Sequence, residues 1–417
     1  MHQKLNYLFI ILSLVIPLNG SCQGKDSNLN RLEGPIDDLI HFGIQQKAFP
    51  GAQVLIYKNG QIQLHKSYGF HTYDSIAKVE DDHLYDLASV TKVLAATLAF
   101  MKLYELYDIN LEDKVSQYIP ILKNSNKKNT TFKEVLSHSA GWLPYIAHQN
   151  TIFKKNGNLK KRTLSSLPNR KYPIQISDSL YIHKNYSKKI FRRIKKTPLG
   201  ELNTYKYSGL WFFFLPKMVQ SLSGLSFTSF LEKHFYKPLE LEHLTFLPIQ
   251  RFSKNTIVPT EKDSLFRKQL VQGWVHDEAA AMMGGISGNA GLFSNAQSIA
   301  PLLQMLLDQG THQGKKYLEP QTINTFIQQT YPNSLNRRGL GFDKPSIDPN
   351  QESPYPSALA SPDSFGHSGF TGTFVWVDPS HDCFVIFLSN RVYPSRKQRA
   401  LYDLSIRGTL LDYAIQF

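Results

Sequence analysis

Asp86-Leu87-Ala88-Ser89-Val90-Thr91-Lys92-Val93-Leu94-Ala95-Ala96-Thr97-Leu98-Ala99-Phe100 is the stretch around which the chain is organised. From Val90 onward it holds good helix formers and apolar residues, and no glycine or proline follows until Pro120. Its apolar residues fall on every face rather than on one stripe, which predicts a helix buried all round. An ammonium group near the start of such a helix is costly to bury and needs a reason. Lys92 follows Ser89 by three residues, and positions i and i+3 share a helix face. A serine is a poor nucleophile until a neighbouring base takes its proton, and a desolvated lysine can share that task. The free N–H groups of a helix N-terminus would also face a developing oxyanion. Ser89 and Lys92 are therefore a candidate nucleophile and base, weighed against the commoner occurrence of this spacing on an exposed helix surface.

With 417 residues, 41% hydrophobic and 12% aromatic, the chain can bury a large core and is not a disordered one. Residues 1–22 read as an export leader: Lys4 precedes the apolar run Leu8 to Pro17, which is too short for a comfortable membrane span. Gly20-Ser21 then lead into Cys22, a pattern that resembles a bacterial lipoprotein signal with Cys22 as the lipidated residue. Residues 23–31 are mostly polar and read as a tether, so a periplasmic or membrane-anchored location is expected. The only other cysteine is Cys383, and no Cys/His cluster has zinc-ligand spacing. Neither metal nor cofactor is expected.

The formal charge of +14 is uneven. Between Lys154 and Lys196 there are fourteen Lys or Arg and one acid, Asp178, which accounts for nearly all the excess. The plainer reading is a solvated, loop-rich insertion at about 150–200; the sharper one is attraction to anionic lipid, cell-wall polymer or an acidic substrate. No nucleic-acid recognition motif accompanies the charge.

The order of elements gives the fold. Pro35 to Gln46 reads as an amphipathic helix, and Ala52 to Tyr57 and Ile62 to Tyr68 as strands joined at Asn59-Gly60, a strong hairpin signal. Helices fill the middle, including Leu210 to Leu222 with a kink at Pro216, and one ending at Leu307 that Ser294 and Gln297 would cap. Phe374 to Val377 and Phe384 to Leu388 read as strands, and Lys397 to Ile415 as a last helix. Strands at both ends and helices between predict an α+β fold: an antiparallel sheet flanked by terminal helices, with an all-helical region inserted.

Two further segments carry chemistry. Tyr205-Lys206-Tyr207-Ser208-Gly209 precedes an apolar helix, and a phenol near a lysine can relay a proton. Tyr207, nearer the helix, is the better candidate than Tyr205. His367-Ser368-Gly369-Phe370-Thr371-Gly372 enters a strand, where glycines let backbone approach a ligand and an N–H can serve an oxyanion. Taken singly, each could be a core-edge tyrosine or a turn histidine.

Together, Ser89-Val90-Thr91-Lys92, Tyr207-Ser208-Gly209 and His367-Ser368-Gly369 follow the order of the serine beta-lactamase-like superfamily, in which the chain resembles the class C beta-lactamase, D,D-peptidase and esterase group. Pro50-Gly51-Ala52, Leu136 to Gly141, Val275 to Glu278 and Gly288 to Ser294 also look like family segments, so the likeness spans 32–417 apart from the lysine-rich insertion. The resemblance implies a beta-lactamase/transpeptidase-like fold and a serine hydrolase with Ser89 as nucleophile and Lys92 and Tyr207 as base system. It also implies substrate binding by His367, Ser368, Gly369 and Phe370, with oxyanion donors at Ser89 and Phe370. A cell-wall D-Ala peptide, or another small ester or amide, would be the substrate, and a monomer is expected. Two positions depart from the pattern: Gly209 stands where the family usually has Asn, and His367 where beta-lactamases mostly have Lys. The first leaves open a non-catalytic, penicillin-binding-like sensor; the second points away from a dedicated beta-lactamase. His276 and Asp277 are adjacent and cannot easily form a base–orienter pair, so they read as a structural loop.

Overall fold

The computed structural model describes residues 26–156, 159–347 and 354–417; the expected leader and Cys22 lie outside them. A helix, α1 (Asp26–Gln45), leads into strands β1 (Gly51–Lys58) and β2 (Gln61–Gly69). Asn59 and Gly60 both take positive φ, 51° and 84°, as a two-residue hairpin with the strands' twist requires. Three strands from the far end of the chain complete the sheet: β3 (Phe365–Ser368), β4 (Phe374–Asp378) and β5 (Cys383–Ser389). The order is β3-β4-β5-β1-β2 and every pairing is antiparallel, so the first strand bonds directly to the last.

The strands are apolar on both faces because both are covered. Val54, Ile56, Trp376, Val385 and Phe387 pack with Ile36 and Ile40 of α1 and with Leu410 and Leu411 of the last helix (Ile406–Gln416). Leu55, Val375, Val377, Phe384 and Ile386 face a larger core shared with the helical region. The alternation of residues between the two clusters is the period-2 pattern of a pleated sheet. Lys58 Nζ closes the unit by donating to the carbonyl of Ala414 at 2.9 Å, near the C-terminus of the last helix, where a cation is favoured.

The helix after Ser89 is buried all round through Met101, as its composition predicts, and turns one face to solvent from Lys102 onward: Lys92–Thr97 form a π-helical turn and Leu98–Leu106 (α2) an α-helix. Elsewhere local chemistry shifts the expected boundaries. The first helix starts at Asp26 rather than Pro35, taking up part of the stretch read as a tether. Pro216 does not kink a helix but begins one, Leu215–Ser223, after a 3-10 turn at Trp211–Phe213, because its missing N–H costs nothing in a first turn. The cap of Ala296–Leu307 is Asn295, whose side chain accepts from Ser298 N; Ser294 ends a strand instead. The final helix is two, Ala400–Asp403 and Ile406–Gln416, separated where Ser405 takes φ 51°.

Between 150 and 200 the chain is more regular than a loop-rich insertion. Leu164–Ser165, Ile174–Ser177 and Leu180–Ile182 form a small sheet, followed by helix α3 (Tyr186–Lys196). Tyr186, Ile190, Phe191 and Ile194 of α3 are buried in the larger core, which fixes the helix to the body of the protein.

Candidate active site

Ser89 sits on a 3-10 turn, Ala88–Val90, that precedes the buried helix. The turn is strained, since Ala88 takes φ 46°, a conformation costly for a residue with a Cβ. Asp86 holds it. One carboxylate oxygen accepts from Ala88 N at 2.8 Å and the other from His276 N at 2.6 Å. Burial raises the Asp86 carboxyl above its ordinary range, and these two donors offset part of that. From the other side, Thr371 and Thr373 hydroxyls donate to the carbonyls of Asp86 and Leu87 at 2.7 and 2.9 Å. Gly369 permits this approach, because a Cβ there would lie 2.6 Å from Leu87 O. The nucleophile turn and the segment after β3 are thus stitched together before any ligand binds.

Three expected residues meet at one atom. Lys92 Nζ lies 3.0 Å and Tyr207 Oη 3.1 Å from Ser89 Oγ. Lys92 is 2% exposed and donates also to the carbonyl of Asn289 at 2.9 Å. Its ammonium is 5.3 Å from the ring centre of Tyr207 and 5.5 Å from that of Phe212, within cation–π range. A proton leaving Ser89 therefore has two groups, an amine and a phenol, within hydrogen-bond reach, at the floor of a cleft that a substrate can enter. Tyr205 does not touch Ser89; it lines the cleft under Arg337, 6.0 Å from its ring.

Tyr207 is positioned by residues the sequence reading did not single out. The ring of His138 lies 4.6 Å from that of Tyr207, and His138 Nδ1 accepts from Ser208 N at 3.2 Å. The Ser208 hydroxyl donates to Leu143 O at 2.7 Å, so Ser208 anchors backbone and has no role at the nucleophile. Burial, with Arg338 and Lys92 nearby, holds His138 well below the ordinary histidine range, so it is neutral. The Arg338 guanidinium, itself buried, lies over the Tyr207 ring at 5.7 Å and pairs with Asp343 at 3.1 Å. Burial works to raise the Asp343 carboxyl, but Arg338 and Arg337 overcome it and hold it at about 2. A single backbone bridge, Asp343 to Gly366, fixes this ion triad beside β3.

His367 faces the same cleft. Its Nδ1 lies 2.7 Å from Ser368 O and so carries the ring proton, leaving Nε2 as an acceptor with no partner among the described residues. Burial first, then the charges of Arg338 and Lys92, lower its pKa to about 3. The ring therefore presents a neutral acceptor to the cleft. Phe370 is 48% exposed at the rim, stacked 5.7 Å from the His276 ring and beneath Arg391 at 4.6 Å. It lies beyond Ser368–Phe374, the last ladder pair of β3 and β4, so the sheet does not take up its N–H. The cleft holds about 290 Å³. A larger cavity, about 570 Å³ and lined by Lys344 and Asp363 among others, contains none of Ser89, Lys92 and Tyr207, so size does not select the site.

The sequence profile described as Beta-lactamase matches residues 36–407, nearly the whole described chain. The chain belongs to the beta-lactamase family. This beta-lactamase-family serine hydrolase is 30% identical over 399 residues to a Salmonella gallinarum protein named "Putative D-alanyl-D-alanine carboxypeptidase", covering 88% of this chain and 84% of that one. Its fold is similar to that of a penicillin-binding protein homolog from Caulobacter crescentus (TM-score 0.66, 16% identity, 93% and 97% of the two chains covered). It is also similar to that of EstCE1, described as a hydrolase with promiscuous acyltransferase activity (TM-score 0.65, 17% identity, 93% and 99% covered).

The two departures from the family pattern take physical form in this enzyme. A Cβ at Gly209 would stand in ordinary contact, 3.8 Å from Asn289 Cβ and 4.0 Å from Lys92 Cε. A Cβ is therefore accommodated at Gly209, and Asn289 borders it while its Oδ1 accepts from Ser287 Oγ at 2.7 Å. His276 and Asp277 form no triad with Ser89. His276 Nε2 contacts Glu261 at 2.8 Å, and Asp277 caps the helix Glu278–Met282 through Ala280 N. Among the described residues no group of His, Cys, Asp and Glu could hold a metal ion.

Proposed function

We propose that this protein is an exported serine hydrolase that works through a Ser89 acyl-enzyme. Ser89 Oγ attacks a carbonyl carbon, and its proton passes to whichever of Lys92 and Tyr207 is unprotonated. The oxyanion lies between the N–H groups of Ser89 and Phe370. The C–N or C–O bond then breaks, the leaving group takes the proton, and water releases the acyl group by the reverse relay. His367 Nε2 accepts a hydrogen bond from the substrate, and Ser368, Gly369 and Phe370 form the edge along which it lies.

The substrate class we favour is a D-Ala-terminated cell-wall peptide, with small esters or amides as further substrates. The relative from Salmonella supports the peptide, and the neutral His367 supports a task other than dedicated beta-lactam hydrolysis. The observation that carries the reading is the convergence of Lys92 Nζ and Tyr207 Oη on Ser89 Oγ. Export rests on the leader ending at Cys22; among the described residues no helix is long and apolar enough to cross a membrane.

Incubation with a fluorophosphonate or a fluorescent penicillin tests this. The native protein should label and Ser89→Ala should not. Labelling that persists in the variant would sink Ser89 as the nucleophile. An unlabelled native protein with no ester or peptide hydrolysis would favour the non-catalytic sensor, for which Gly209 is the specific argument.

A further inference from the structure

The basic segment plays no part in the chemistry, and its structure gives it a distinct shape. Helix α3 buries Tyr186, Ile190, Phe191 and Ile194 and leaves Lys188, Arg192 and Lys196 exposed. These three stand at i, i+4 and i+8, in one stripe along the helix. Lys188, Arg192 and the exposed Lys217 edge a cavity of about 350 Å³. Its apolar lining comes from Ile119, Pro120, Ile121, Phe191 and Phe214, of which Ile119, Phe191 and Phe214 are buried, so the cations form the rim and the hydrocarbon the floor. Lys217 Nζ lies 4.7 Å from the Phe191 ring centre, across that floor. Among the described residues no acid lines the cavity. The one acid between Lys154 and Lys196, Asp178, is already engaged by Lys254 and by Trp274 Nε1. Among the described residues no carboxylate pairs with the three rim cations.

We propose that this cavity and the basic face around it dock the protein on the surface of a membrane containing anionic phospholipid. The rim cations would meet phosphate headgroups, and the apolar floor would take part of an acyl chain. Charge complementarity commits the site to a surface rather than to a single soluble anion. Beyond the three rim cations, Lys160, Lys161, Arg162, Arg170, Lys171, Lys184 and Lys196 are exposed on the same segment. That is more positive charge than one headgroup neutralises and suits an array of them. Docking here would hold a cell-envelope hydrolase against the membrane independently of any lipid on Cys22.

The test uses the full chain with Cys22→Ser, so that no acyl chain is attached, and its counterpart also carrying Lys188→Gln, Arg192→Gln and Lys217→Gln. Both are sedimented with phosphatidylcholine vesicles, with and without phosphatidylglycerol. The parent should bind only the anionic vesicles, with affinity falling as salt is raised. The triple variant should bind about a hundredfold more weakly, each cation at an anionic surface being worth about fivefold. An unchanged thermal midpoint and unchanged probe labelling at Ser89 would show that the variant is folded. Equal binding to neutral vesicles, equal binding by the variant, or insensitivity to salt would overturn the proposal. So would binding of monomeric decanoate by the parent, lost in the variant, without vesicle binding, because the cavity would then serve a soluble amphiphile.

Discussion

Two helices of this protein carry cations, and they use them in opposite ways. On the helix that begins at Lys92, one ammonium is buried, shared between Ser89 Oγ and Asn289 O, and faced by two aromatic rings. On α3, six of eleven residues are Lys or Arg, and the stripe at Lys188, Arg192 and Lys196 is exposed to water. A buried cation is costly unless each partner is well placed, so its position is nearly fixed, and fixed position is what chemistry requires. Exposed cations cost little and are screened by salt, so they act together as a field.

The contrast can be broken by changing each helix in turn. Lys92→Met should lower kcat/KM by about 10²–10⁴ by removing the base. The side chain is close in volume and needs no partner, so the thermal midpoint should be retained or raised. A fully active Lys92→Met would show that the buried cation is structural. Tyr207→Phe removes one of the two groups at Ser89 Oγ and should cost about a hundredfold in kcat, with little effect on folding. A loss confined to KM would instead assign Tyr207 to binding.

Gly209 and Asn289 sharpen the same side. Asn289→Ala should lower kcat about tenfold by loosening the wall beside Lys92, and adding Gly209→Asn, whose Cβ meets only ordinary contacts, should restore part of it. Two variants that add independently would show that the positions do not share this task.

Stability should also respond to acid. Burial lowers His71 and His148 to about 4 and His367 to about 3, from an ordinary value of 6.5. The unfolded chain takes up these protons below about pH 6.5 while the folded one refuses them, so their contribution is fully present above that pH and is lost progressively toward about 4 for His71 and His148 and about 3 for His367. The thermal midpoint should therefore fall by several degrees between about pH 7 and 5. A flat profile would mean that these rings are hydrated when folded. The smallest effect belongs to α3: neutralising Lys188, Arg192 and Lys217 should leave kcat/KM within about twofold for a soluble ester.

Much of this was legible in the sequence where causes are local. The Asn59-Gly60 hairpin, the all-round apolar helix and the Ser89–Lys92 pair, three residues apart, follow from neighbours along the chain. Tyr207 and His367, by contrast, gained weight only through the order of three motifs. His138, Arg338, Asp343 and Asn289 were not singled out, because what defines them is contact across long separations: 200 residues for Arg338 with His138 and 197 for Lys92 with Asn289. The signal for His138 was present in Ser137-His138-Ser139-Ala140-Gly141, where the chain turns through positive φ to bring the ring behind Tyr207. Helix α3 was obscured by its own composition, since dense lysines drew attention to charge while the spacing of Tyr186, Ile190 and Ile194 already gave a buried stripe. Boundary errors at Ser294, Pro216 and Ser405 each came from a side chain or a backbone angle that sequence alone does not fix.

The claim most exposed to failure is that the two groups at Ser89 Oγ make it a nucleophile. Mass spectrometry of the protein quenched during turnover of an ester or a penicillin measures this directly. The account predicts an acyl adduct confined to the peptide containing Ser89, absent in Ser89→Ala and longer-lived in Tyr207→Phe. An adduct on any other residue, or turnover that survives Ser89→Ala, would contradict it.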